Sequence, residues 1–397
     1  MRNENNIDLN LNFIAHSSLL TSNNNQVSGC YKNNCLFQYM HDYTFTICSE
    51  YKVDKSQINN NKSNIQTGVI GDKDYIGMSN DSSISYHIGV LKPNEEIDPS
   101  YYEKLPAGLR INITGGEATL RKDIDKIFEI LYPKSVLLEL STNGYNTEKI
   151  VELANKYPNI LIRVSVEGLP QINDSKRGIV NGFDHALRTM LELKKTKCKN
   201  IGFSVVISPD NYKDLVHLYE LCVALDVELG NSAVHNSWYF HKEDNEIVSE
   251  GALEQHELFV KALLTSKRRR LKDRLKDYGR AFFNRSIHRR LRGDESGYRP
   301  ACGALSDFFF IDPWGNVSPC NGSEEEWVIG NIKEQSFEEI MASDKAKEAM
   351  EKVKNCKRDC TFIVTERHDM VRRPWIPIKW ILKNKWRIYK GKNICWD

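Results

Sequence analysis

Four cysteines near the carboxyl end are the residues best suited, by type and spacing, to do chemistry. Cys302 is followed by twelve residues, then Gly315, then four residues, then Cys320, and Cys356 and Cys360 form a C-x3-C pair. Four thiolates are the ligand set of one 4Fe–4S cluster. Structural zinc also takes four cysteines. Zinc knuckles favour C-x2-C pairs, and neither pair here has that spacing, so iron–sulfur is the better match. Ten cysteines in a chain of 397 residues that reads as cytoplasmic are not a disulfide framework. Cys198 and Cys222 lie on or beside helical segments and read as buried small hydrophobes.

A second group of polar residues recurs after apolar runs. Ile113-Thr114-Gly115-Gly116-Glu117 closes one run, Ser141-Thr142-Asn143-Gly144 the next, and Ser165-Val166-Glu167-Gly168 the one after. Paired glycines let backbone approach a ligand closely, and the adjoining carboxylate can accept hydrogen bonds from an ammonium group. Each motif alone fits ordinary turn chemistry. Three in succession aim polar groups at one mouth, because ligand sites in parallel α/β folds lie at the carboxyl ends of strands.

The elements that must position these groups are legible from about residue 105. Strand-like runs at 108–114, 135–142, 160–166, 201–208 and 227–234 alternate with amphipathic helical runs, and 74–80 reads as a first strand. Apolar strands each followed by a helix predict a parallel sheet with helices outside. About six such units are too few to close an eight-fold barrel, so an open partial (βα)6 barrel is expected. A basic helical segment follows over 251–300, including KRRRLKDRLK (267–276) and RSIHRRLRG (285–293). It reads as a solvated face or as an acidic-substrate contact.

Composition bounds the function classes. Hydrophobic residues make up 40% and charged residues 27%, an ordinary globular mixture, and a net charge of +2 offers no field for nucleic acid. No run of eighteen apolar residues is present, and the polar, Asn-rich start has no apolar signal-peptide core. The expected location is cytoplasmic. The tail over 371–397 is basic and aromatic, with Trp375, Trp380 and Trp386 placed to dip into a membrane interface. Packing on the protein's own surface or on a partner is the alternative.

From Leu105 through Ser237 the chain resembles the core of radical S-adenosylmethionine (SAM) proteins, and the segment around WVIGNIKEQSFEEIMAS is similar to their SPASM and twitch cluster domains. The resemblance implies that Gly115, Gly116 and Glu117 bind the SAM amino group, although the usual proline after the glutamate is Ala118 here. It implies that Ser141, Asn143, Ser165 and Glu167 line the SAM site and that Arg177 contacts the SAM carboxylate. It also implies that Cys302, Cys320, Cys356 and Cys360 hold an auxiliary 4Fe–4S cluster. The implied layout is an Asn-rich extension (1–70), a partial barrel (71–250), the basic helical segment (251–300), a cluster domain (301–370) and the tail (371–397). The implied function is SAM-dependent hydrogen abstraction from a peptide, sugar or small organic substrate, served by an electron donor.

The pattern breaks where the family places three further cysteines, commonly C-x3-C-x2-C, after the first strand. Here that loop falls at about 81–88, and the matching positions are Asp81, Ser85 and Ile88. Cys30 and Cys35 with Cys48 offer a substitute set of unusual spacing, although free thiols are the simpler reading of the three. A second 4Fe–4S cluster depends on them. Without one, the chain is a catalytically degenerate relative acting as a binding or partner protein.

Overall fold

The computed structural model describes residues 65–70, 73–79, 85–89 and 96–396, apart from 237–244, 246, 294–301, 324, 359 and 362. Three strands come first in the chain: β1 (Ile65–Ile70), β2 (Lys73–Ser79) and β3 (Ser85–Gly89). They form a separate antiparallel sheet in the order β1-β2-β3. The run expected as the first parallel strand is therefore β2, paired antiparallel on both sides. Its connections span residues 71–72 and 80–84, far short of the dozen or more residues a parallel crossover needs.

The parallel sheet holds five strands among the described residues: β4 (Leu109–Ile113), β5 (Ser135–Thr142), β6 (Leu161–Ser165), β7 (Asn200–Ile207) and β8 (Glu228–Ala233). They pair in sequence order and curl into a half-barrel. Between them run α1 (Ile124–Lys134), α2 (Thr147–Lys156), α3 (Pro170–Arg177), α4 (Gly182–Lys195) and α5 (Leu215–Ala224). Side chains alternate across a strand. Leu138, Leu140, Ile162, Val164 and Phe203 thus face the helices and are buried against Phe128, Ile150 and Phe183. Burying each such side chain stabilises the fold by roughly 1.5–3 kcal/mol.

The opposite, concave face is charged. Arg110, Glu139, Arg163 and Glu228 form a belt across the sheet, with Glu139 in electrostatic reach of both arginines. Arg163 Nη2 meets Glu228 Oε2 at 2.5 Å, reaching across β7 at Gly202. A Cβ on Gly202 would lie 2.8 Å from Arg163 Nη1 and 2.3 Å from the Glu228 carbonyl oxygen, so only glycine leaves room. One step nearer the carboxyl ends lies a hydroxyl and amide row. Ser141 donates to Asn112 Oδ1 at 3.0 Å, and the Ser165 and Ser204 hydroxyls are 3.4 Å apart.

Helices α6 (Ala252–Leu264) and α7 (Leu271–Leu291) pack on each other beside β8. The basic segment divides: Lys267, Arg269, Arg270 and Lys272 are exposed, as a solvated face requires, while other cations turn inward. Arg268 Nε pairs with Asp277 Oδ2 at 2.9 Å with both side chains buried, and Lys276 and Arg280 join Arg163 on Glu228. Burial pushes the Glu228 carboxyl up, but Arg163, Arg280 and Lys276 outweigh it and hold it at about 2. Burial also draws the Arg163 guanidinium downward, yet arginine stays charged, so the pair remains ionic. A carboxyl held below its ordinary 4.5 stabilises the fold above that pH and loses the contribution as pH falls toward 2. The expected contribution at neutral pH is on the order of 3 kcal/mol. Denaturant unfolding of the native chain and Glu228→Gln should therefore differ widely at neutral pH and converge below pH 4.5; a gap independent of pH would refute this account.

The carboxyl-terminal unit is small. Strands β9 (Phe310–Ile311), β10 (Asn316–Ser318) and β11 (Gly330–Asn331) make a short antiparallel sheet, followed by α8 (Phe337–Ala342) and α9 (Asp344–Lys354). Its core is Leu305, Val317, Ile329, Ile332, Ile340, Ala346 and Ala349, closed by Ile97 from ahead of the barrel. Gly315 sits at φ +90°, where a Cβ would come within 2.6 Å of Ile97 Cδ1. Lys104 Nζ adds bonds to the Ile332 and Gln335 carbonyls at 2.7 and 3.1 Å. Residues 96–104 thus tie the small unit to the barrel. Last come α10 (Ile363–Arg372) and α11 (Trp375–Tyr389). Trp380 is buried edge-on against Phe282, so it is not available to a membrane, and Trp396 stacks on His288 at 3.5 Å.

Candidate functional site

At the end of β4 the chain turns through Gly115 (φ +144°), a conformation that favours glycine, and open space lies where its Cβ would be. Glu117 follows and is buried. Its Oε1 accepts from Thr119 N (3.2 Å), Thr119 Oγ1 (2.6 Å) and Thr142 Oγ1 (2.8 Å), and its Oε2 accepts from Asn143 N (2.7 Å). Burial pushes this carboxyl up, and the four donors pull it back. Glu117 therefore clamps the β4 turn to the end of β5. An ionised carboxylate has about four acceptor sites over two oxygens, so Oε2, with one donor, retains room for another.

Asn143 follows β5 directly. Its Oδ1 accepts from Tyr145 N at 2.8 Å, while its buried Nδ2 has no partner among the described residues. At the end of β6, Glu167 Oε1 and Arg177 Nη2 form a buried ion pair at 2.9 Å, and Arg177 Nε is buried without a partner among the described residues. Arg177 is carried by α3, where Pro170 at the start and Gly178 in the left-handed conformation at the end bound a helix of 8 residues. Asn211 Nδ2 donates to the Glu167 carbonyl at 2.8 Å, and Asp214 accepts from Leu169 N at 2.7 Å, holding the β6 loop against β7. The mouth thus brings Gly115, Gly116, Glu117, Asn143, Glu167 and Arg177 to adjacent strand ends. Ser141 and Ser165 sit below them in the hydroxyl row.

Cys302 and Cys356 lie at the surface, and Cys320 and Cys360 are half-buried. Burial raises the thiols of Cys302 and Cys320 and pushes Cys360 up to about 12. The four are in electrostatic reach of one another: Cys302 and Cys356 both act on Cys320, and Cys320 and Cys356 on Cys360. Backbone N–H groups favour the thiolates, from Ala304 toward Cys302 and from Gly322 and Ser323 toward Cys320. Arg290 and Arg358 do the same for Cys360. Among the described residues no three His, Cys, Asp or Glu side chains close on one point as a single metal ion requires. Four thiols linked by electrostatic coupling, backed by amides and arginines, are of the type that holds the corners of an anionic cluster. The quartet adjoins the barrel mouth, because Arg358 Nη1 donates at 3.3 Å to the Asn236 carbonyl just beyond β8.

Cys198 and Cys222 are wholly buried, as read from sequence. Cys30, Cys35, Cys48 and Asp81 lie outside the described residues, while Ser85 and Ile88 fall within β3. Sequence reading missed Thr119 and Thr142 as partners of Glu117, and it missed the charge belt. The readable signals were Thr142 inside the second strand-end motif, Thr119 two residues after the first, and a lone arginine inside the apolar run ILIRVSV.

Residues 95–222 match the radical SAM superfamily, and residues 302–361 match SPASM, an iron–sulfur cluster-binding domain. The second match opens on Cys302 and closes one residue after Cys360. Among curated relatives, the Fe-coproporphyrin III synthase of Methanosarcina barkeri is 30% identical over 114 residues, 28% of this chain and 28% of that protein. The pre-heme d1 synthase of Dinoroseobacter shibae is 27% identical over 124 residues, 30% of this chain and 29% of that protein. The aligned stretches thus span under a third of either relative. A solved structure described as native anSMEcpe with bound AdoMet and Kp18Cys peptide is similar at a TM-score of 0.46 and 17% identity, covering 70% of this chain and 80% of that one. Among the described residues, no helix is long and apolar enough to cross a membrane.

Proposed function

We propose, for a chain that is a radical SAM protein with a C-terminal SPASM domain, that the mouth over β4–β6 binds SAM and directs hydrogen abstraction from a polar substrate. The observation that carries this reading is a set of complementary, unsatisfied polar groups at adjacent strand ends. Among the described residues, Asn143 Nδ2 and Arg177 Nε are buried donors without partners, and Glu117 Oε2 has spare acceptor capacity. An α-amino acid zwitterion supplies what both lack: a carboxylate for the donors and an ammonium for the acceptor. Gly115 leaves space for the ligand where any other residue would place a Cβ.

Cys302, Cys320, Cys356 and Cys360 would hold one 4Fe–4S cluster beside this mouth. A cluster of the radical-generating kind, when bound, supplies the electron that splits SAM into methionine and a 5′-deoxyadenosyl radical. The chain's own residues do the rest. Glu117 fixes the β4 turn, the Glu167–Arg177 pair fixes the β6 loop, and the serine row and charge belt form a polar floor suited to a sugar or polar peptide. An external electron donor completes the reaction. The three ligands of the radical-generating cluster would be Cys30, Cys35 and Cys48.

A second reading is favoured by one observation: the superfamily match begins only at residue 95, beyond the expected cluster loop, where Ser85–Gly89 is a strand. On that reading the chain keeps the SAM mouth and the C-terminal cluster and serves as a binding or partner protein. Release of 5′-deoxyadenosine from SAM under strong reductant separates the two. Cluster-loaded protein should release it at a rate abolished by Cys30→Ala. Protein shown to hold its clusters yet releasing none would overturn the enzymatic reading.

A further inference from the structure

Helix α11 is bound to the protein by one face only. Pro377, Trp380 and Asn384 are buried. Asn384 Nδ2 donates to the Cys395 carbonyl at 2.9 Å, and Lys385 Nζ to the Leu264 carbonyl at 2.9 Å. At 3.6 residues per turn, Trp375, Ile378, Leu382, Trp386 and Tyr389 fall within about 80° of one another on the opposite face. They are 63%, 55%, 62%, 56% and 81% exposed. Five large apolar side chains in one unbroken stripe are more than scattered surface hydrophobes.

The charge around the stripe identifies its occupant. Residues 371–396 carry eight cations (Arg372, Arg373, Lys379, Lys383, Lys385, Arg387, Lys390 and Lys392) and no aspartate or glutamate. Lys379, Lys383 and Lys390 are exposed on the flank of the stripe, and Arg372 and Arg373 are exposed at its amino-terminal end. A surface that combines tryptophan and tyrosine with flanking lysine and arginine matches the boundary between anionic headgroups and acyl chains. The helix has 15 residues, so it extends about 22 Å, lying in the plane of a bilayer rather than across it.

We infer that α11 docks the protein on an anionic lipid bilayer, with Trp375, Leu382 and Trp386 inserted below the headgroups and the flanking cations on the phosphates. The inserting face is the one opposite Trp380, so docking leaves the contact with α7 intact.

The test is co-sedimentation of the full chain with vesicles of phosphatidylcholine alone and of phosphatidylcholine mixed with phosphatidylglycerol. Binding is expected only to the mixed vesicles and should weaken with salt. Trp375→Ser/Leu382→Ser/Trp386→Ser should bind them at least about tenfold more weakly, and Lys379→Gln/Lys383→Gln should bind more weakly with the stripe intact. These side chains are exposed, so both variants should keep the native melting temperature, and the comparison is made only with variants that do. Failure of the native chain to pellet, or undiminished binding by the stripe variant, would overturn the inference. So would concentration-dependent self-association that the stripe variant abolishes while vesicle binding is absent, since a second copy would then cover the face.

Discussion

Replacing Cys320 with alanine is expected to remove essentially all the iron held by the C-terminal unit, about four atoms per chain. Cys320 is in electrostatic reach of Cys302, Cys356 and Cys360, and with its thiolate gone this unit has no ligand placed to close the open corner, so the cluster should be labile. The effect should reach the fold, because strands β9–β11 are two or three residues long and the core behind them is eight side chains, one borrowed as Ile97. Units of this size depend on a staple, and ligation supplies it. Iron and sulfide assays after anaerobic reconstitution check the first expectation, and thermal unfolding checks the second. Cys222→Ala is the control, since that thiol is wholly buried in the barrel core and should leave iron content unchanged. Wild-type iron in Cys320→Ala would show that the quartet is not the site. Wild-type protein with twice the iron of one cluster would point to a second cluster in the amino-terminal segment.

Glu117→Gln should reduce SAM affinity about 100-fold, measured by calorimetry. The amide would place an N–H₂ group against at least one of the four donors that now converge on the carboxylate. The β4 turn would then part from the end of β5, and the acceptor for an ammonium group would go with it. Loss of a buried, charge-assisted hydrogen-bond set costs on the order of 2–4 kcal/mol, and 2.7 kcal/mol corresponds to about 100-fold in binding. The hydrogen bonds of this clamp all lie within the barrel, so the variant should still load iron on the cysteine quartet, which distinguishes a lost site from a lost fold. Undiminished SAM binding in folded Glu117→Gln would remove the clamp from the binding account.

The sequence reading of the barrel succeeded where periodicity is strong. The run 135–142 is β5 with the same ends, because a short apolar run bounded by a helix and by the Asn143-Gly144 turn leaves one interpretation. It failed on strand direction. DYIGMSN reads as a strand and is one, but periodicity does not record whether a neighbour runs parallel, and only the short flanking connections do. Helix α3 was missed because its 8 residues, PQINDSKR, include a single large apolar side chain, Ile172, and so show no periodicity. The strand-end glycines and glutamates were legible as a mouth. The partners of Glu117 were not, since Thr142 lies 25 residues away and nothing local marks which strand end it meets. The inward cations of the basic segment were hidden for the same reason: Arg280 and Lys276 answer to Glu228, roughly fifty positions upstream.

The belt across the concave face bears on how the strands find their alignment. Parallel strands form equivalent backbone hydrogen bonds in any pairing displaced by two residues, so side chains must select among them. Sliding β6 by two residues would bring Leu161 or Ser165 to the place that Arg163 holds between Ser141 and Gly202. Glu139 and Glu228 would then be left inside the half-barrel without the cation between them. Breaking a buried pair in this way costs about 3–5 kcal/mol, and Gly202 admits the guanidinium at one height only. Arg163 is therefore an indexing pin: the folded sheet places this cation where a slipped register would strand two carboxylates.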